Sequence, residues 1–378
     1  MAVREIERRS GKPTTEDVEW VSRAYAEEDR EDIRDLLASE YPDSDVGLPE
    51  FFHWQCDQNP AGRSIIRVAY ECQHDQIVGE IWGLPMRLQV GQEVRHTTII
   101  INGLVREDFR RKGITTRIGR ENFADALAQR GIEFTISIPS PPSYRVATKY
   151  FYGVDLGCIP LLIKPLDWAA LLTYKTGRPR LSRLAASVLK RVVPPGPRTV
   201  RAGGITLRDL ECFDESFDEL WERTRHKRPV AVVRDCAWLN WRYKEIPTRY
   251  YDVMVAQEGS EMIGYVVTRQ VTLLGVSCGM IVDLWVEPAR RGRRAAYLLI
   301  QEVTGRFLSH GMQIAGTLML PGTEEYAALR RAGYWVCPRY LEPQPIPLII
   351  HRHTEKTLCY PLNDLSCWFF TMGDYDVI

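Results

Sequence analysis

The 378-residue chain carries 49 Lys+Arg against 49 Asp+Glu and is 45% hydrophobic and 26% charged, an ordinary globular composition long enough for two domains. The balanced charge excludes a global field that would recruit nucleic acid or an anionic membrane, and no apolar run is long enough to span a bilayer. Nine cysteines without a C-x-x-C pair and seven histidines without an H-x-x-x-H pattern speak against a disulfide framework or a metal site, and for reduced thiols in a cytoplasmic protein.

In chain order, the N-terminal MAVREIERRSGKPTTEDVEW has basic residues but no apolar core, which speaks against a secretory signal. Ile33, Leu36 and Leu37 at i, i+3 and i+4 predict a helix over Asp32–Leu37. In HWQCDQNP, Trp54 stands six residues before Pro60, and the strand-like run Ile65–Ala69 then leads through a polar turn to Val78-Gly79. A further strand ends at Val105, followed by Arg110-Arg111-Lys112-Gly113-Ile114-Thr115 and a helix that buries Ile118, Phe123, Ala124 and Leu127. Ile132–Ile138 reads as the next strand, and Ser143 to Cys158, with Tyr150 and Tyr152, as the next helix. From Trp168 to Arg208 there are nine Lys/Arg and no acid. Within that stretch Leu181, Leu184, Ala185, Val188, Leu189 and Val192 follow helical spacing until Pro194-Pro195-Gly196-Pro197 ends it.

The second half repeats the first. Its opening helix places Phe213, Phe217, Leu220 and Trp221 on one face, and Trp241 stands six residues before Pro247. Val253–Ala256, Ile263-Gly264 and Val286 before Arg290-Arg291-Gly292-Arg293-Arg294 then follow in the same order at nearly the same spacing. Such an internal repeat predicts two copies of one unit: residues 1–168, a basic linker at 169–198 with an amphipathic helix, and residues 199–378.

A strand, a basic glycine-containing loop and a helix start make an anion site, because free N–H groups and the helix dipole converge there. The segment resembles the signature of the GNAT superfamily (GCN5-related N-acetyltransferases), Arg/Gln-x-x-Gly-x-Gly/Ala after a strand ending in valine. Here it reads Arg110-x-x-Gly113-x-Thr115 after Val105, with Thr115 in place of a small residue. The second copy keeps Val286, Pro288, Arg291, Ala296 and Leu299, but Arg294 stands at the glycine position.

The resemblance implies an α/β chain of the α+β type: two tandem GNAT-like domains, each a mixed, mostly antiparallel sheet flanked by helices. It implies an N-acyltransferase that passes an acetyl or other acyl group from coenzyme A to the amine of a small molecule, by direct attack on the thioester and without a metal. Leu104 and Val105 would pair with the pantetheine arm, and Arg110, Arg111, Lys112, Gly113, Ile114 and Thr115 would hold the pyrophosphate. A tyrosine on the following helix would protonate the thiolate; counting forward from Ser143 gives Tyr150, and counting back from Gly157 gives Tyr152. Leu329 takes that place in the second copy, which is therefore expected to be degenerate. Asn102, three residues before Val105 as Asp283 is before Val286, would orient a water, with Glu80 and His96 as further base candidates. An acyl carrier protein or aminoacyl-tRNA donor, supported only by the basic linker, and a non-catalytic ligand-binding scaffold are the alternatives.

Overall fold

The computed structural model describes residues 19–169, 203–354 and 361–375. The expected amphipathic linker, beyond Ala169, lies outside the described residues. Among those described, the chain forms a nine-stranded and a seven-stranded sheet, both mixed and mostly antiparallel, with helices packed against them.

The first sheet runs in the order β1 (Trp20–Ala24), β2 (Ile65–Glu71), β3 (Gln76–Val90), β4 (Glu93–Val105), β5 (Phe134–Ser137), β15 (Pro347–Arg352), β6 (Val154–Cys158). Helices α1 (Arg30–Glu40) and α2 (Pro49–Asp57) bury Leu36, Leu37, Phe51, Phe52 and Trp54, and Phe52 meets Trp82 of β3 edge-on with ring centroids 4.9 Å apart. Helix α3 (Ile114–Arg130) packs Ile114 and Ile118 against Val78, Ile81 and Val105. With helices against both faces, β3 reads as a near-continuous buried run instead of alternating.

The second sheet runs β14 (Trp335–Val336), β7 (Leu161–Pro165), β13 (Ile314–Leu318), β12 (Val276–Val286), β11 (Glu261–Leu273), β10 (Asp252–Glu258), β8 (Ile205–Asp209). Its flanking helices are α5 (Glu215–Thr224), α6 (Cys236–Tyr243), α7 (Arg290–Ser309) and α8 (Glu324–Arg331), with α4 (Pro141–Arg145) belonging to the first lobe.

The two sheets exchange a strand. β7, from the first half of the sequence, lies between β13 and β14, whereas β15, from the second half, lies between β5 and β6. The apolar stretch from Cys158 to Ile163 is therefore two strands, and the chain leaves one sheet for the other at Ile159-Pro160. A division at 168 and 199 cuts across both sheets. A further strand of the second half, β9 (Val230–Val232), pairs with β3 at Leu88–Val90. The stretch expected as one helix from Ser143 to Cys158 is instead α4, a π-helical turn at Val146–Tyr150 and then strand β6.

The lobes meet around the tryptophans that mark the repeat. Trp54 and Trp241 stack with centroids 4.6 Å apart, and each indole N–H donates to the other residue's carbonyl, at 2.8 and 3.2 Å. Arg87 donates to Asp235 at 2.6 Å, and Arg249 to Asp45 at 2.7 Å.

Candidate functional site

β4 pairs with β5 only where Thr98, Ile99 and Ile100 face Thr135, Ile136 and Ser137. Beyond Ile100 the two strands part, and among the described residues β4 continues to Val105 paired with β3 alone. Asn102 and Gly103 together oppose Ile81 in a β-bulge, and Asn102 sits at φ 49°, a conformation that asparagine tolerates better than most residues. Into the gap opens a cavity of about 400 Å³, lined on one side by Ile100, Ile101, Asn102 and Gly103 and on the other by Ser137, Ile138, Pro139 and Ser140.

One end of this cavity reaches Thr115, on the first turn of α3. Gly113 caps that helix at φ 78°, and a Cβ there would meet nothing within 4 Å; glycine is used for the backbone angle and for what approaches from outside. Arg111 is also left-handed, at φ 68°. The backbone N–H groups of residues 111 to 116 have no acceptor among the described residues. Successive free N–H groups at a helix N-terminus form a cradle for phosphate oxygens.

The basic side chains of the loop divide. Arg110 turns back, its Nε donating to the Val105 carbonyl at 3.0 Å and its Nη2 to Glu40 at 2.9 Å. Lys112 pairs with Glu19 and lies over the Phe109 ring. Arg111 is exposed and has no ion-pair partner among the described residues. Ile114 is buried and anchors the helix start. Leu104 and Val105 lie on the length of β4 beyond β5, where Arg110 occupies the Val105 carbonyl, and Asn102 lines the cavity with its Nδ2 donating to Gln55 Oε1 at 3.0 Å.

The two tyrosines expected as the acid lie elsewhere. Tyr150 and Tyr152 are 38% and 76% exposed and neither lines the cavity. Arg120 donates to the Tyr150 carbonyl at 2.9 Å and covers the Tyr152 ring. The π-helical turn adds a residue, so the helical count from Ser143 no longer points inward. The phenols that do line the cavity are Tyr41 and Tyr375, joined by Ser137 and by His351 of the exchanged strand. Nothing local in the sequence marks these four, since they meet only when strands from both halves pair.

Of the weaker base candidates, His96 is exposed on the β4 stretch before the parting. Glu80 is fully buried rather than on the surface. Trp82 Nε1 donates to its Oε2 at 2.8 Å, its Oε1 has no partner among the described residues, and burial pushes its carboxyl up to about 8. The folded state therefore holds this proton more tightly than the unfolded chain. The stability it contributes is fully present below the ordinary value of 4.5 and is lost as pH rises through about 8. Glu80→Gln is expected to flatten the fall in thermal midpoint that the wild type shows between roughly pH 5 and 9; an unchanged slope would show that Glu80 is charged when folded.

The corresponding gap in the second lobe is filled by protein. Beyond Met280, β12 has no strand on the β13 side among the described residues. Val286 N–H donates to Glu325 at 2.9 Å, and its carbonyl accepts from Arg228 at 2.7 Å. Helix α7 begins at Arg290, only four positions after Val286, whereas α3 begins nine after Val105. The loop is thus wound into helix. Gly292 lies within it, where a Cβ would come 1.8 Å from the Glu287 carbonyl, so it packs the helix and cannot shift to serve as the loop glycine. Leu329 is fully buried.

The acetyltransferase (GNAT) family model matches residues 211–334, the copy whose loop is wound up. No curated protein sequence matches the chain. Among solved structures, a GCN5-related N-acetyltransferase from Anabaena variabilis ATCC 29413 is similar at TM-score 0.61 and 12% identity, over 89% of this chain and 73% of that one. Saccharomyces cerevisiae N-myristoyltransferase with bound myristoyl-CoA is similar at 0.59 and 13%, over 92% and 82%. A probable N-acyltransferase from Enterococcus faecalis V583 is similar at 0.58 and 13%, over 89% and 73%. At these identities the likeness is one of fold, and the fold is the GNAT fold in two lobes.

Proposed function

From a chain built as two GNAT-like lobes, we propose an N-acyltransferase that uses acetyl-CoA or another acyl-CoA as co-substrate in the first lobe and passes the acyl group to an amine by direct attack on the thioester. The observation that carries this reading is the parting of β4 from β5 over a cavity that reaches Thr115, on the helix start where the N–H groups of residues 111 to 116 have no acceptor among the described residues. A pantetheine arm is a chain of amides, which the open edge of β4 can pair like an added strand. A pyrophosphate suits the cradle around Gly113, with Arg111 beside it.

Coenzyme A would supply an activated thioester and a good leaving group. The protein's part is to place the carbonyl at the bulge, with Leu104 and Val105 backbone groups along the arm, and to offer N–H donors to the developing oxyanion. Asn102, fixed by Gln55, would orient a water or the amine. The other wall of the cavity brings Tyr41, Ser44 and Val46 together with Arg249 and Tyr375, so both halves of the chain shape the acceptor space. A small-molecule amine is the acceptor class we favour. The free cysteines among the described residues fit a reducing, cytoplasmic setting. The second lobe, its gap filled, acts as scaffold and wall.

Calorimetric titration of desulfo-CoA into the wild type, Gly113→Glu and Arg294→Glu tests the reading. One site per chain is expected, weakened about a hundredfold or more only in Gly113→Glu, where a carboxylate enters the phosphate cradle. Thermal midpoints of the three proteins check that they are folded. No binding to the wild type at millimolar ligand would overturn the reading.

A further inference from the structure

Ser137 ends β5, and His351 is the last residue but one of β15, the strand delivered from the other half of the chain. Their side chains meet at the cavity wall, Ser137 Oγ lying 2.7 Å from His351 Nε2. Both are buried, at 5% and 1% exposure. The imidazole is gripped on all sides: Phe123 stacks on it with centroids 5.1 Å apart, and Phe151 meets it edge-on at 5.8 Å. Gly153 makes room for it, since a Cβ there would come 2.7 Å from Cε1. No carboxylate pairs with it among the described residues, and burial, with His353 nearby, lowers its pKa to about 4. The ring is therefore neutral at ordinary pH. Among the described residues its Nδ1 makes no well-formed hydrogen bond, and the Phe151 backbone raises the ring's pKa only weakly against burial. An orphaned donor costs more than an orphaned acceptor, which favours the tautomer with its proton on Nε2, facing Ser137.

A hydroxyl that accepts from Nε2–H keeps its own hydrogen for the cavity and one lone pair free. That hydroxyl sits where β4 and β5 part, at the place the thioester would occupy, whereas Tyr150 and Tyr152 do not line the cavity.

We propose that Ser137 is the catalytic group that passes a proton from the attacking amine to the departing sulfur, and that His351 is the positioning residue that aims it. The inference rests on the acyl-CoA reading of the same cleft. In the step, the C–N bond forms and the C–S bond breaks. The ammonium proton moves to Ser137 Oγ as the Oγ hydrogen moves to the thiolate. Ser137 and His351 end as they began, and no further reactant enters. The pair is made by the strand exchange, so neither half of the chain contains it alone.

The test needs no acceptor. The thiol of bound CoA is titrated by thiolate absorbance, with the desulfo-CoA complex of each variant subtracted to remove the protein's own cysteines. In the wild type the hydroxyl is expected to make the bound thiol about tenfold more acidic than in Ser137→Ala. Desulfo-CoA affinity should be equal in the two proteins. His351→Gln, which keeps an N–H donor, is expected to retain the effect, and His351→Phe, which keeps the ring shape, to lose it. Equal thiol acidity in wild type and Ser137→Ala, or a loss confined to Tyr41→Phe or Tyr375→Phe, would overturn the shuttle and leave the acyl-CoA reading standing. Failure of the wild type to bind desulfo-CoA would overturn both.

Discussion

Trp54→Ala or Trp241→Ala is expected to lower the unfolding free energy by about 3–5 kcal/mol through the cavity each leaves. Each variant also strips the partner carbonyl of its buried donor, adding about 1–3 kcal/mol. Both rings are 1% exposed and stacked at 4.6 Å across the junction of the lobes, so neighbours from one half alone cannot close the void. Denaturant unfolding of the two single variants and the double variant gives the measurement. The double variant should lose less than the sum, since either change already removes the shared stack, whereas each takes away a different one of the two indole–carbonyl hydrogen bonds. Additive losses, or a loss under about 1 kcal/mol, would mean that the lobes are held by other contacts such as Arg87 with Asp235.

Arg234→Met is the second large change, with an expected loss of about 3–5 kcal/mol. The guanidinium is 1% exposed and is held by Asp283 at 3.1 Å, Asp374 at 2.8 Å, the Val232 carbonyl at 3.0 Å and Thr371 at 3.1 Å. Asp283 also accepts from the Tyr243 and Tyr265 hydroxyls at 3.3 and 3.1 Å. Removing the cation leaves two buried carboxyls facing each other, and burial already pushes Asp374 up from its ordinary value. This network ties residues 371–374 to β12, one residue before Tyr375 reaches the first-lobe cavity. The thermal midpoint should fall sharply in Arg234→Met and recover in part when Asp374→Asn is added, because one uncompensated charge is then gone. A midpoint unchanged by Arg234→Met would show that one of the two carboxyls is already neutral.

Much of the architecture was legible without coordinates because it is written locally. The repeat of Trp54 and Trp241, the apolar spacing of the helices and the run from Val105 to Gly113 depend on neighbours a few positions apart. The tandem GNAT reading rests on these, and the start of α3 just after Gly113 agrees with them. The tyrosine positions were counted along an assumed regular helix, whereas the chain makes a π-helical turn at Val146–Tyr150 and then strand β6, and neither Tyr150 nor Tyr152 lines the cavity. Glu80 stands beside Gly79 as a base candidate in sequence, yet helices cover both faces of β3 and bury it, a fact that belongs to packing.

The sequence by itself determined that the chain holds two copies of one unit and that only the first keeps a glycine where a phosphate loop needs a left-handed backbone. Tertiary structure alone decided which strand lies beside which. β-pairing joins residues far apart in sequence through main-chain groups that every residue carries, so side-chain patterns do not announce that β7 and β15 change places. The same long-range pairing brings Ser137 within 2.7 Å of His351, 214 residues away. It also closes the second cleft with Arg228 and Glu325 while the first stays open.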